Sequence, residues 1–366
     1  GMTMPRDPQS ALQAYDEAMG ALADAAARAS VCRNAHPDPK MRDAADTCEQ
    51  EVDALAPELS LDRSVYDTLA ALSLDGLDGV DAATRYYVHK TLRDLRRAGV
   101  DKDDEPRARV RRLREELLKI GQEFGKNIKD DVRTLSISPD ELDGLPDDFR
   151  QQHQPGSDGK VTISTDNTDY IPFVTYAKSG KAREALWRLY RLRGHPKNLE
   201  VLSRMLEKRH ELATLLGYAN WAAYATEDKM IGSERAAAEF IARITGASEG
   251  RARRDYEQLH KRKQKDDPTA QNVAAWDSAF YQERVMAEEY GFDSQAMRAY
   301  FEYERVKKGV LDITARMFGL EYRKVADAPV WHETVDAYDV LDHGTANGAL
   351  VGRIYLDMHP REGKYK

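Results

Sequence analysis

The chain has 366 residues, of which 41% are hydrophobic and 32% charged, enough to bury a sizeable core in one large domain or in a few smaller ones. Its formal net charge of -8 argues against a general affinity for nucleic acid or anionic membranes, since both need a basic contact face. Two cysteines, Cys32 and Cys48, are too few for a disulfide framework. This low cysteine count favours a reducing compartment, so we expect a cytoplasmic protein, and the sequence shows neither a stretch of roughly 18 apolar residues nor a signal-peptide pattern.

Apolar residues at spacings of three and four predict helices along most of the chain, with charged residues on their outer faces. The first two, Ala11–Ala35 and Met41–Leu55, are predicted to form an antiparallel hairpin, because the prolines of the intervening His36-Pro37-Asp38-Pro39 cannot continue a helix. The other predicted helices are Ser64–Leu74, Ala82–Ala98, Val110–Ile128, Arg183–Arg193, Asn198–Leu216, Trp221–Met230, Ser233–Ile244, Ser248–Gln264, Val273–Glu289, Asp293–Phe301 and Val306–Phe318.

Two basic runs, Arg107–Arg114 and Arg251–Lys263, lie on these helical segments. Acidic residues are interspersed in and around both runs. Mixed charge of this kind is typical of a solvated helix face, so neither run predicts a nucleic-acid site.

Two stretches depart from the helical pattern. Ser138–Gly159 is rich in Pro, Gly and Asp and predicts a loop, followed by a short strand over Lys160–Ser164. Near the end of the chain, Val335–Leu341 and Leu350–Met358 have strand character and flank a turn containing Gly344 and Asn347-Gly348, which predicts a β-hairpin. The predicted fold class is therefore mainly α, with a small β element near the C-terminal end.

The last predicted strand has one apolar face and one face that could meet a ligand. Alternation places Leu350, Gly352, Ile354, Leu356 and Met358 on the first face, and Val351, Arg353, Tyr355 and Asp357 on the second. An extended peptide can add to an exposed strand edge through main-chain hydrogen bonds, and a glycine leaves room for such an approach. The alternative is a plain core hairpin with Gly352 at a bulge.

Catalytic zinc of the zincin type needs two histidines one helical turn apart with a glutamate between them. None of the nine histidines stands four residues from another, and His332-Glu333 leads into a predicted strand instead of a helix. The sequence also contains no C-x-x-C, G-x-S-x-G, P-loop or G-x-G-x-x-G motif. We therefore predict no catalytic residue and no metal ligand in this chain.

The segment GRIYLDMHPREGKY, Gly352 to Tyr365, resembles a block of the thimet oligopeptidase family of zinc metallopeptidases, G-x-x-Y-L-D-x-x-P-R-x-G-K-Y. Two further segments resemble the same family in order and spacing. One comprises Asn198-Leu199-Glu200, Leu212 to Asn220 and Lys229-Met230. The other comprises Tyr300-Phe301, Val306, Gly309, Phe318-Gly319-Leu320, Val330-Trp331-His332 and Val335. Together they span Asp169 to Tyr365.

The resemblance implies the N-terminal half of a peptidase that hydrolyses short peptides in a channel between two helical halves. In that family the second half supplies the zinc ligands and the general-base glutamate, so the motif would lie beyond Lys366. We expect this half to be inactive alone, to bind no zinc, and to need the missing catalytic half as partner. The resemblance assigns substrate binding to Gly352, Tyr355, Asp357 and Arg361.

Without the resemblance, a charged cluster after a strand, such as Asp357, Arg361 and Lys364, is typical of a solvated turn.

The predicted regions are an N-terminal helical region (1–137), a loop and short strand (138–168), a helical channel wall (169–329) and the hairpin (330–366). The alternative function is a non-enzymatic helical scaffold or interaction protein derived from such a peptidase, with an exposed apolar channel wall as its partner surface.

Overall fold

A computed structural model describes residues 8–71, 80–344, 348–359, 361 and 364. The fold is mainly α-helical with two small antiparallel sheets, as the sequence predicts. The chain forms two compact units: Gly1–Glu115 with Glu302–Lys366, here called the split unit, and Glu116–Phe301, the continuous unit. The four predicted regions follow another division of the sequence and stay a prediction.

In the split unit, α1 and α2 pack against each other as the predicted hairpin. A core formed by Tyr15, Val65, Leu69, Leu95 and Val100 joins α1, α3 and α4. Asp62 and Asp81 cap α3 and α4 by accepting backbone N–H bonds at the helix starts. The helices are α1 (Pro8–Ala35), α2 (Pro39–Ser60), α3 (Arg63–Ala70), α4 (Ala82–Ala98), the start of α5 (Asp104–Lys129) and α14 (Tyr303–Phe318).

The continuous unit is organised around a two-stranded antiparallel sheet of β1 (Thr134–Ile137) and β2 (Val161–Ser164). Ile163 of β2 and Phe173 of α7 are fully buried in its core. The helices of this unit, after the end of α5, are α6 (Asp147–Gln152), α7 (Asn167–Tyr176), α8 (Gly180–Arg191), α9 (Lys197–Leu215), α10 (Trp221–Glu227), α11 (Glu234–Asp266), α12 (Ser278–Tyr290) and α13 (Ser294–Met297), with a 3₁₀ helix over Pro139–Leu142.

The helix predictions hold for most elements and fail at a few. The predicted helices Ser233–Ile244 and Ser248–Gln264 are one continuous helix, α11, because glycine at 246 weakens a helix by about 1 kcal/mol but still donates its backbone N–H. The sequence interpretation missed α6, α7, β1 and β3. Residues 72–74 of the third predicted helix lie outside the described residues.

The second sheet belongs to the split unit and contains β3 (Leu320–Lys324), β4 (Asp336–Asp342) and β5 (Ala349–Leu356), in that order and antiparallel. The predicted hairpin of β4 and β5 is confirmed, and β3 extends it to three strands. Gly348 adopts a left-handed φ of 59° at the end of the turn, while Asn347 lies outside the described residues. The helix α14 leads directly into β3.

Candidate functional site

Strand β5 forms one edge of the three-stranded sheet. Val325 donates its backbone N–H to the Ala337 carbonyl at 2.9 Å, so Ala337 directs its main-chain groups toward the β3 side. Successive residues of an antiparallel strand point their main-chain groups to opposite sides, so Tyr338 points toward β5 and bonds its partner Ile354. Ile354 therefore faces β4.

The same alternation fixes the direction of the neighbouring main-chain groups of β5. Gly352 and Leu356 face β4 with Ile354, whereas Arg353 and Tyr355 direct their N–H and C=O groups away from the sheet. In the described part of the chain, nothing pairs with β5 on that outer side. The edge thus offers a row of main-chain donors and acceptors to an incoming extended peptide.

The two faces of β5 differ in what they meet. Helix α14 lies over the sheet face that carries Tyr322 and Tyr338, and the two enclose a cleft of about 630 Å³. Cross-strand partners share a face, so Ile354, opposite Tyr338, belongs to this covered side. The predicted alternation of faces is seen from Gly352 to Leu356, whereas Leu350 and Met358 are exposed.

Gly352 has open space around it. Leu341 pairs with Leu350 and Val340 with Gly352, so Val351 is the extra residue of a β-bulge beside the glycine. A Cβ added at Gly352 would meet no atom within 4 Å, and no positive φ requires glycine there. Neither packing nor backbone conformation in the described residues explains a glycine at 352.

Tyr355 lies on the other face of β5 with Arg353. Its ring centroid is 5.5 Å from that of Trp331, and 37% of its surface is exposed. Arg353 forms an ion pair at 2.6 Å with Asp339, its cross-strand partner on β4. This face of β5 therefore carries an aromatic pair, Tyr355 with Trp331.

Immediately after β5, Asp357 is surrounded by donors, in a group that we call the Asp357 clasp: Trp331, Asp357, Arg361 and Lys364. Arg361 donates to both carboxylate oxygens, at 2.6 and 2.9 Å, and Trp331 donates its indole N–H at 2.9 Å. Lys364 contacts one carboxylate oxygen at 3.1 Å and the Asp357 carbonyl at 2.6 Å.

The clasp is shielded from solvent. The side chains of Asp357, Arg361 and Lys364 are only 11%, 12% and 18% exposed. The hydrogen bonds from Arg361, followed by those from Trp331 and Lys364, hold the pKa of Asp357 well below its usual range, although partial burial opposes the shift. The group is therefore a largely buried charge network, and the interpretation as a solvated turn is wrong.

Arg361 also ties the clasp to the first helix. Its guanidinium donates to the carbonyl oxygen of Ala35 at 2.7 Å, at the last residue of α1. A helix C-terminus carries partial negative charge and carbonyls without helical partners, so an arginine is favoured there. The clasp thus fixes the segment that follows β5 against α1.

The histidines near this site have local partners. His332 contacts the Thr334 hydroxyl at 2.9 Å through Nδ1, and the His359 ring lies 4.9 Å from the Tyr303 ring. Within residues 8–71, 80–344 and 348–359 and at 361 and 364, no three His, Cys, Asp or Glu side chains come together as a metal site. The described residues therefore do not fit a catalytic zinc ion.

Comparison with known proteins places the chain in a family. The sequence profile of peptidase family M3 matches residues 173–366, more than half of the chain, so this protein belongs to that family. A probable thimet oligopeptidase of Arabidopsis thaliana is 27% identical over 328 residues, which cover 90% of this chain and 46% of the relative.

Two further relatives are likewise matched over a little less than half of their own length. Saccharolysin of Saccharomyces cerevisiae is 26% identical over 351 residues, covering 90% of this chain and 48% of the relative. Oligopeptidase A of Escherichia coli is 25% identical over 300 residues, covering 78% of this chain and 44% of the relative. The chain spans about half the length of these curated relatives.

The structure brings the sequence-predicted site residues into one region but gives them different surroundings. Gly352 and Tyr355 lie on the edge strand, while Asp357 and Arg361 bond each other in the clasp. Sequence reasoning did not single out Trp331 as a site residue. The alternation placed Arg353 with Tyr355 on the face that could meet a ligand, but only Tyr355 was named as a substrate-binding residue.

Proposed function

We propose that this chain is the non-catalytic N-terminal half of a zinc-dependent metalloendopeptidase that hydrolyses short peptides. Membership of family M3 and the names of the relatives as oligopeptidases support peptidase chemistry for the intact protein. The observation that carries the proposal is the unpaired outer edge of β5, which lies inside the family-matched segment.

In this proposal a substrate peptide lies along β5 as a fourth strand. The outward N–H and C=O groups of Arg353 and Tyr355 bond the substrate main chain, which every peptide presents regardless of its side chains. Gly352 leaves room for close approach, and the Tyr355 and Trp331 rings offer an apolar surface beside the strand. Such a site suits an enzyme that accepts varied sequences.

Asp357 and Arg361 act on the substrate through the position of the strand. The clasp engages both carboxylate oxygens of Asp357 and both terminal nitrogens of Arg361, so these groups hold β5 against α1. A fixed strand lowers the cost of binding, because fewer main-chain rotations are lost when the peptide adds to it. They are positioning residues in this account.

Zinc would polarise the scissile carbonyl and activate a water molecule in the intact enzyme. The described residues offer no group that fits the ion, so no chemical step is assigned to them. We propose that the remaining polypeptide, present in relatives of about twice this length, supplies the ligands and the general base.

We propose the cytoplasm as the location of the enzyme. An Arabidopsis relative that is 25% identical over 343 residues is named a probable cytosolic oligopeptidase A, whereas another is named for chloroplasts and mitochondria. Among the described helices, none combines the length and apolar character needed to cross a bilayer.

The test is peptide cleavage by two proteins: the 366-residue chain and the full-length product of its gene. We expect the longer product to cleave a quenched fluorescent peptide, to stop when a chelator is added and to recover with zinc. The chain alone should show no zinc-dependent cleavage. A full-length product that binds peptides without cleaving them would instead support the scaffold function.

A further inference from the structure

Helix α14 has two distinct faces, whose centres lie about 130° apart around the helix axis. Lys307, Leu311 and Ala315, spaced by four residues, line the cleft against the sheet, and the Lys307 side chain is only 8% exposed. A second set, Val306, Val310, Ile313 and Met317, recurs at spacings of four, three and four. We call this second set the α14 stripe.

The side chains of the α14 stripe are exposed to solvent. Its side chains are 39%, 54%, 54% and 69% exposed in chain order. At 100° per residue all four lie within about 60° of one another around the helix axis, and the centre of this group is about 130° from Leu311. Single exposed apolar residues are ordinary, but a continuous stripe of four along three turns of one helix is typical of a surface that packs against a partner.

We propose that the α14 stripe docks an amphipathic helix from the remaining half of the peptidase, and this inference rests on the proposed function. A helix with one face toward its own sheet and a second, apolar face turned away from that sheet is typical of the middle layer of a larger domain. The matched segment is only 46% of the Arabidopsis thimet oligopeptidase and 48% of saccharolysin, so in these relatives about half of the polypeptide lies outside it, enough chain for such a packing partner.

Helix α14 is linked to the candidate site through the sheet. Lys307 bonds Asp336, the first residue of β4, at 2.6 Å, and β4 holds β5 through its ladder. A helix seated on the α14 stripe would therefore be supported by the same layer that carries the peptide-binding edge. The proposal predicts that α14 becomes buried only when the rest of the polypeptide is present.

Thiol accessibility tests the proposal. In a background with Cys32→Ser and Cys48→Ser, Ile313→Cys places on the α14 stripe the one thiol of these 366 residues, whose labelling is followed on its own peptide. Lys308→Cys is the matched control, because the Lys308 side chain is 78% exposed on the same helix but outside the stripe. Both variants are made in the 366-residue chain and in the full-length gene product, and the rate of maleimide labelling is measured by mass spectrometry.

We expect both thiols to react rapidly in the 366-residue chain. In the full-length product, Ile313→Cys should react at least about tenfold more slowly, since a buried thiol reacts only when the contact opens, and Lys308→Cys should be unchanged. Equal labelling of Ile313→Cys in both proteins, or a gene product no longer than this chain, would overturn the proposal.

Other outcomes overturn it in distinct ways. Protection of Ile313→Cys in the 366-residue chain that grows with protein concentration would assign the α14 stripe to a second copy. Protection independent of concentration would assign it to a contact within the chain. Labelling does not depend on cleavage: an active peptidase with a freely reacting Ile313→Cys refutes this inference alone, while an inactive product with a protected thiol refutes the proposed function alone.

Discussion

Replacing Asp357 by asparagine tests whether the clasp holds β5 in place. The substitution keeps the shape of the side chain and removes its charge. Asparagine retains an acceptor oxygen for part of the network, but its NH₂ group then faces donors from Arg361, Trp331 or Lys364. Two cations remain in a largely buried position without their counter-charge.

The stability that Asp357→Asn is expected to lose follows from the burial of the clasp and from the number of its hydrogen bonds. Removing one partner of a buried ion pair costs about 3 to 5 kcal/mol, and the clasp is 11% to 18% exposed, so we expect the lower end, about 3 kcal/mol. The matched control is Asp312→Asn, which breaks an exposed helical pair with Lys308 in the same unit and should cost about 0.5 kcal/mol or less.

Hydrogen exchange followed by mass spectrometry measures this effect locally, which matters because a chain of two units need not unfold in one step. About 3 kcal/mol corresponds to roughly a hundredfold faster exchange of the β5 amides in Asp357→Asn, against about twofold in Asp312→Asn. Equal exchange in the two variants would refute the reasoning that the clasp stabilises the strand.

The exchange rate of the β5 amides should depend on pH in a direction that the pKa of Asp357 determines. The folded-state pKa of Asp357 is lowered, so its stabilisation is fully present above the unfolded pKa of about 3.9 and is lost as pH falls through the lower folded value. The difference between the wild-type chain and Asp357→Asn should therefore narrow as pH falls below about 4. A constant difference down to the lowest pH at which the chain stays folded would contradict this assignment.

Three further predictions concern other positions. Gly144→Ala should lower stability by about 3 kcal/mol or more in a thermal melt, since its φ is +92° and a Cβ would overlap the Tyr176 carbonyl; Gly159→Ala, at φ +73° in open space, should cost about 1 kcal/mol. Burial, followed by a bond to Asp16, raises the pKa of Tyr87 to about 12. A Tyr87→Phe difference titration at 295 nm should show that value, and Tyr87 should lose its contribution to stability as pH rises from about 10 to 12. Gly352→Ala should leave stability within about 0.5 kcal/mol while weakening peptide cleavage by the full-length product.

The sequence was sufficient for the helices and for the terminal hairpin because their patterns are local. Alternation over 352–356 predicted both faces of β5, and the residues flanking His36–Pro39 predicted the first helix pair. The edge position of β5 was not predictable in the same way. It depends on β3, whose short and charged sequence Leu320–Lys324 becomes a strand by pairing with β4.

The Asp357 clasp could not be predicted from local sequence patterns either, because it depends on residues that are far apart in the sequence. A charged segment after a strand is typically solvated, and here it is buried by Trp331, 26 residues before Asp357, and by Ala35, which is 326 residues from Arg361. No periodic pattern brings such distant groups together. The resemblance identified the segment, and the structure was needed to show that Asp357 and Arg361 bond each other.

The most direct test of the central claim compares Tyr355→Pro with Tyr355→Ala in the full-length gene product. Both remove the ring, but only proline removes the outward N–H that is proposed to bond substrate, and proline is tolerated where that N–H faces away from the sheet. One lost hydrogen bond is worth about 1 kcal/mol, so kcat/KM for the proline variant should be about fivefold below that of the alanine variant, at equal melting temperature. Equal kcat/KM values would contradict binding of peptides along the edge of β5.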